Sequence, residues 1–284
     1  MTLPEQAPAR RHETATEKPA ERGRFASVMR AYVVFGLLVS LKVVSRIFYR
    51  FRLRWEGPAP KSWSDVRILS ALNHTSLYEP IYAGALPLGL LWRIARYGVV
   101  PVAEKTMRRP GIGLFFKMIA QNVVHVTRQP DQTWKAVLDR IGPDSLVVLF
   151  PEGRMKRPDG LDGDGKPMTV RGGIADVIEA AGGGRMLVAY LGGLHHIQAP
   201  GQFLPRAFHR VKLTLELLDV AWYREIMLHR GGEEGFKKAV IADLQERRDR
   251  YCPPGPRESL SLLTRQTAPR VTDSGSTPRP DDRT

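Results

Sequence analysis

The chain has 284 residues, 43% of them apolar and 25% charged, enough to bury a sizeable core, and no Gly/Ser/Pro-rich linker divides residues 50–250. Its single cysteine, Cys252, excludes an intramolecular disulfide framework and suits a reducing compartment. The formal charge is +14; residues 1–24 and 265–284 carry +1 each, so +12 decorates the body and would attract phosphates or an anionic surface.

Residues 1–24 are polar and rich in Pro, Ala, Glu and Arg, and are expected to be a disordered tail. Residues 25–50 are expected to form an amphipathic helix lying in a membrane interface. The run Ala31–Leu41 is apolar, but Arg30 and Lys42 bracket only eleven residues, whereas a spanning helix needs about twenty. Lys42, Arg46 and Arg50 recur every four residues and are read as a basic stripe turned toward anionic headgroups. The stretch starts too late, and lacks the Ala-x-Ala site, for a cleaved signal peptide.

Strand-like and helix-like stretches then alternate through residues 51–252. Strands are expected at Val66–Leu72, Tyr97–Val102, Asn122–Val126, Ser145–Phe150, Met186–Leu191 and, as an alternating edge strand, Val211–Leu218. Helices are expected at Pro80–Leu91, Ile112–Ala120, Asp131–Ile141, Gly172–Ala181 and Glu233–Arg250. The alternation predicts an α/β domain with a mostly parallel central sheet flanked by helices, whose sites lie at the carboxyl ends of strands. Residues 253–284 are expected to be a flexible tail.

Two motifs fall at such strand ends. Asn73-His74-Thr75-Ser76-Leu77-Tyr78-Glu79 follows the Val66–Leu72 run, and Phe150-Pro151-Glu152-Gly153-Arg154 follows Ser145–Leu149. On a regular helix, residues five apart are rotated by about 140° and do not share a face. Pro80, favoured at a first helical position, places Glu79 just outside the helix and makes residues 73–79 a turn that folds the carboxylate onto the imidazole. A carboxylate on one ring nitrogen fixes the tautomer and leaves the other nitrogen to accept a proton. Ser76 is not read as a nucleophile, because no Gly-x-Ser-x-Gly elbow occurs and a triad within six residues lacks the geometry.

The pair of motifs resembles the glycerophospholipid acyltransferase family, typified by bacterial 1-acylglycerol-3-phosphate acyltransferases, over roughly residues 50–220. The resemblance implies transfer of a fatty acyl group from an acyl-CoA or acyl-carrier-protein thioester to the hydroxyl of a lysophospholipid, without a covalent acyl-enzyme and with no cofactor beyond the thioester co-substrate. It assigns His74 as the base and Glu79 as its orienter, where the family usually has Asp. It groups Asn73, Lys105, Arg128, Phe150, Pro151, Glu152, Gly153, Arg154 and Arg171 as substrate-binding, with Lys105, Gly111-Ile112-Gly113 and Arg128 matching an intervening block and Arg171-Gly172-Gly173 a later one. Where the family commonly has Thr-Arg-Ser after Phe-Pro-Glu-Gly, this chain has Arg154-Met155-Lys156-Arg157. It implies a membrane-associated protein on the cytoplasmic face of the inner membrane. The alternatives are a non-catalytic lipid-binding or transfer protein on the same fold, and an acyltransferase for another lyso-lipid or an aminolipid.

Read physically, Lys105, Arg128, Arg154 and Arg171 cluster near the catalytic turn as phosphate ligands, while Glu152 among so many cations holds its loop by ion pairing. The spaced aspartates of Arg157–Lys166 lack the full calcium-loop pattern and read as a mobile loop, and the adjacent His195 and His196 point to opposite faces of a strand, so no metal is expected. Without zinc-finger spacing, a basic zipper or an aromatic RNA motif, nucleic acid is not an expected partner.

Overall fold

The computed structural model describes residues 18–108, 122–126, 132–198, 202 and 204–254, with side chains from Ala26 onward. The expected helix at Ile112–Ala120, the Gly111–Gly113 turn, Arg128 and nearly all of both tails lie outside the described residues.

Among the described residues, β-branched and leucine-rich runs form seven strands in one sheet: β1 (Arg50–Glu56), β2 (Val66–Leu72), β3 (Gly98–Ala103), β4 (Asn122–Val126), β5 (Leu146–Leu149), β6 (Arg185–Leu191) and β7 (Arg210–Asp219), in the order β1-β7-β6-β2-β5-β3-β4. The five strands from β6 to β4 are parallel, as buried βαβ crossovers require. β7 runs antiparallel to β6 and parallel to β1. The fold is thus α/β with a mostly parallel sheet.

One expectation is corrected here. The Val211–Leu218 region is not an edge strand, because β1 pairs along its outer side, Arg50 opposite Arg210 through Glu56 opposite Glu216. The run Arg-Phe-Arg-Leu-Arg-Trp-Glu has the period-2 alternation of a strand, and its charges suit a sheet edge.

Two layers cover the sheet. On one face, α1 (Lys18–Phe48) and α2 (Leu88–Tyr97) pack over Leu69, Ala71, Leu187, Ala189, Val211 and Leu213. On the other, α4 (Gln132–Leu138), α5 (Gly173–Ala181) and α6 (Val220–Tyr251) pack over Ile68, Leu72, Val147, Met186, Val188 and Tyr190. A short α3 (Glu104–Met107) follows β3. The α6 helix bends at Gly232, which takes a left-handed φ of 66°.

Helix α1 begins at Lys18 rather than Phe25, and its segment Ala26–Phe48, 23 residues, is long and apolar enough to cross a membrane. Ala31, Val34, Leu38 and Ser45 are buried in the domain, while Tyr32, Val33, Val43, Val44 and Ile47 are bare. The expected basic stripe is corrected. Lys42 Nζ donates to the carbonyls of Gly84 (3.0 Å) and Leu86 (2.5 Å), and Arg46 Nε donates to Gly84 (2.9 Å). The Gly84 carbonyl ends a 3-10 turn and that of Leu86 lies two residues beyond it, so Lys42 and Arg46 cap them, Arg46 remaining exposed, while Arg50 belongs to β1 and not to the helix. Burial and then the neighbouring Arg46 lower the Lys42 pKa.

Candidate active site

The turn after β2 is built by local chemistry. Asn73 adopts φ 69°, a left-handed conformation that asparagine tolerates, and its side-chain amide donates to the Leu191 carbonyl at 2.7 Å. That reverses the chain and delivers His74 over the end of β5. The following segment, Glu79–Gly84, is a 3-10 helix with Pro80 in its first turn.

Glu79 is almost fully buried, yet both of its oxygens are occupied. Oε1 accepts the backbone N–H groups of Thr75 (2.6 Å) and Ser76 (3.2 Å), and Oε2 meets His74 Nδ1. The carboxylate therefore folds back across the turn from the first residue of the 3-10 helix. His74 is held from three further directions. Its N–H donates to Glu152 Oε2 (2.7 Å), its carbonyl accepts from Lys156 N–H (2.6 Å), and its ring lies 4.5 Å from that of Phe150. Burial disfavours the imidazolium, but the Glu79 charge, the Glu79 hydrogen bond and the Glu152 charge outweigh it and raise the His74 pKa. With Nδ1 committed to Glu79, Nε2 is the nitrogen available to a substrate. The Ser76 hydroxyl donates to Gln198 Oε1 at 2.8 Å and accepts from the Tyr78 N–H at 3.1 Å.

Glu152 sits at the centre of this arrangement with 1% of its surface exposed. Its second oxygen accepts from Arg248 Nη1 (3.2 Å), which also reaches the Met168 carbonyl (2.9 Å). Arg171 Nε donates to the Glu152 carbonyl at 3.2 Å. Gly153 takes φ 62°. A side chain there would press on Arg171 at 3.3 Å as well as strain the turn.

A cavity of about 680 Å³ straddles the carboxyl ends of β2 and β5. Its apolar arm runs between the sheet and the α1/α2 layer, past Leu38, Leu41, Leu69, Leu86, Ile94 and Leu213. Its polar arm opens toward α5 and α6, past Trp134, Arg171, Asp176 and Lys237, and His74 and Phe150 line the junction. Phe150, Pro151, Gly153, Arg154 and Arg171 line the cavity, whereas Asn73 and Glu152 hold it from behind. Arg154 is closed by Asp162 and Asp164, so its charge is already matched. Backbone donation from Lys166 and the Arg154 contact hold Asp162 down at about 2 despite its burial penalty, and the same contacts tie the Arg157–Lys166 loop to Arg154. Nothing in the sequence placed these aspartates on Arg154, since such pairing depends on a turn that brings together residues eight and ten apart. Lys105 lies in α3, but its side chain and Arg128 are outside the described residues.

Sequence reasoning missed Lys237, Trp134 and Arg248. Asp176 joins the first two, accepting from Trp134 Nε1 (2.9 Å) and pairing with Lys237 Nζ (2.7 Å). Gly172 and Gly173 make this possible, because a side chain there would run into Lys237 at 2.6 Å and Trp134 at 2.8 Å. The paired glycines after Arg171 were the only sequence signal. His195 and His196 lie in a turn beyond the end of β6 and not on a strand as expected, the first contacting the Lys156 carbonyl and the second the Arg210 carbonyl.

Among solved structures, the chain is similar to the 1-acyl-sn-glycerophosphate (LPA) acyltransferase PlsC from Thermotoga maritima, at 16% identity and a TM-score of 0.49, with 81% of this chain and 89% of that chain covered. No family model matches the chain. No curated protein matches it.

Proposed function

We propose that the protein is an acyltransferase that moves a fatty acyl group from a coenzyme A or carrier-protein thioester to the hydroxyl of a lysophospholipid. The observation that carries this reading is the His74–Glu79 pair at the junction of an apolar arm and a cation-lined arm of one cavity. The apolar arm suits an acyl chain, and Arg171 suits the acceptor's phosphate, with Lys237 beside it exchanging its Asp176 partner for a phosphate oxygen. His74 Nε2 takes the hydroxyl proton as the oxygen attacks the thioester carbonyl. The tetrahedral adduct then collapses, the C–S bond breaks, and the proton returns from the imidazolium to the departing thiolate. Glu79 keeps the ring in the productive tautomer and steadies the imidazolium. No group of the protein is acylated in this route.

Membrane association at the cytoplasmic face belongs to the same reading. Both the acyl chain and a lyso-lipid partition into bilayers, and α1 presents a bare apolar face while Val34 and Leu38 are held in the domain core. A helix so anchored lies along the domain, which supports an interfacial rather than a spanning position.

The test is turnover of labelled acyl thioester with a panel of lyso-lipids. His74→Ala is expected to lower kcat by roughly 10²–10⁴-fold while thioester binding persists. Full activity in that variant would overturn the mechanism, and lipid binding by the wild type without turnover would favour a lipid carrier.

A further inference from the structure

We infer that the loop tip Leu204–Phe208, joined by Phe48, is a wedge that inserts into the interfacial layer of an anionic phospholipid bilayer and seats the cavity at the membrane surface. This rests on the membrane reading above and adds a second point of contact, remote in sequence from α1.

Leu204 and Phe208 are 74% and 71% exposed, the barest large apolar side chains among the described residues. Single exposed apolar residues are ordinary, but these two share a tip with other features. Phe208 holds φ 63°, a left-handed backbone that a bulky side chain rarely adopts. Its N–H donates to the Phe48 carbonyl at 2.6 Å, and its ring lies 5.8 Å from that of Phe48. Strain is thus accepted in a conformation that turns an aromatic ring outward. Phe48 is itself 41% exposed and ends the bare face of α1, so helix and loop tip form one continuous apolar surface.

Cations ring this surface. Arg206 and Arg210 are exposed in and just after the tip, and Arg50 stands opposite Arg210 in the β1–β7 register. No acidic residue occurs between Leu204 and Lys212 or between Phe48 and Arg54. An apolar tip within a cationic collar matches acyl chains beneath anionic headgroups.

Sheet topology puts the wedge at the correct end. β7 is antiparallel to β6, which is parallel to β2, so the starts of β7 and β1 lie at the edge where β2 delivers His74. β7 is two places from β2, or about 10 Å at the usual strand spacing. An acceptor drawn from the bilayer at this edge has a short path to the cavity.

The full-length chain carrying Cys252→Ser and Leu204→Cys, labelled with the environment-sensitive fluorophore NBD, tests the wedge on vesicles containing phosphatidylglycerol. The expected result is a blue shift and quenching by doxyl-lipids at position 204, absent from a control label at Glu225→Cys on the outer surface of α6. Leu204→Glu with Phe208→Glu is expected to lower turnover of a bilayer-embedded acceptor by at least roughly tenfold, while turnover of a monomeric short-chain acceptor is unchanged. Co-sedimentation with a water-exposed label at 204 would overturn the wedge and leave the membrane reading standing. No co-sedimentation would overturn both. A label that dries only on adding an acidic acyl carrier protein would overturn the wedge in favour of a protein-docking surface.

Discussion

Glu152 is connected to three parts of the chain at once: the His74 backbone through one oxygen, Arg248 through the other, and Arg171 through its carbonyl. It is also the second carboxylate, after Glu79, that raises the His74 pKa. A base acts only when unprotonated, so a raised pKa moves the acidic limb of the activity profile above the ordinary histidine value of about 6.5. Glu152→Gln keeps an acceptor for the His74 N–H but removes the charge. The acidic limb of kcat against pH is therefore expected to move to lower pH, and an unmoved limb would show that Glu152 acts through loop geometry alone. Burial and then the Glu152 charge push the Cys252 thiol up to about 12, which keeps it protonated at neutral pH.

At the scale of elements, the contact between α1 and the 3-10 turn joins the apolar N-terminal helix to the His74–Glu79 turn. Gly84 is its tightest point. Its carbonyl accepts from both Lys42 and Arg46, and a Cβ there would lie 2.4 Å from the Phe51 ring and 3.0 Å from Ser45. Gly84→Ala must displace Phe51 from its place against the core, an overpacking expected to cost about 1–3 kcal/mol, read as a lower urea midpoint at unchanged slope. The contact also explains why the helix was legible but its orientation was not. Apolar content predicted a helix at a membrane surface, whereas the direction of Lys42 and Arg46 depends on carbonyls some forty residues away. Strand β1 was missed for a related reason: its alternation was in the sequence, but its partner among the described residues is β7, about 160 residues on.

Across the whole molecule, one polar network fastens α6 to the sheet and so keeps Lys237 and Arg248 at the site. Arg247 bonds Glu216 on β7 (2.6 Å) and Asp243 (2.7 Å), Tyr190 on β6 donates to Glu216 (2.5 Å), and Tyr223 and Arg230 complete the shell of Asp243. Burial and then the Glu216 contact raise the Tyr190 pKa, which keeps the phenol a donor. Arg247→Met would leave two nearly buried carboxylates short of their main counter-charge. The expected cost is about 3 kcal/mol, the lower part of the range for a broken buried pair because a fifth of the arginine is exposed. A thermal melt and a loss of activity that parallels it would check this.

The sequence by itself determined the α/β class, the strand ends that carry the two motifs, and the turn that lets an acid five residues on return to its histidine. Those features are set within a few residues by hydrophobic period, by Pro80 and by Asn73. Only the tertiary structure decided that Arg154 is spent on Asp162 and Asp164, that Lys237 and Arg248 arrive from α6, and that Lys42 and Arg46 reach the carbonyls of Gly84 and Leu86. A charge's partner depends on which segments the sheet order brings side by side, and spacing along the chain does not encode that order.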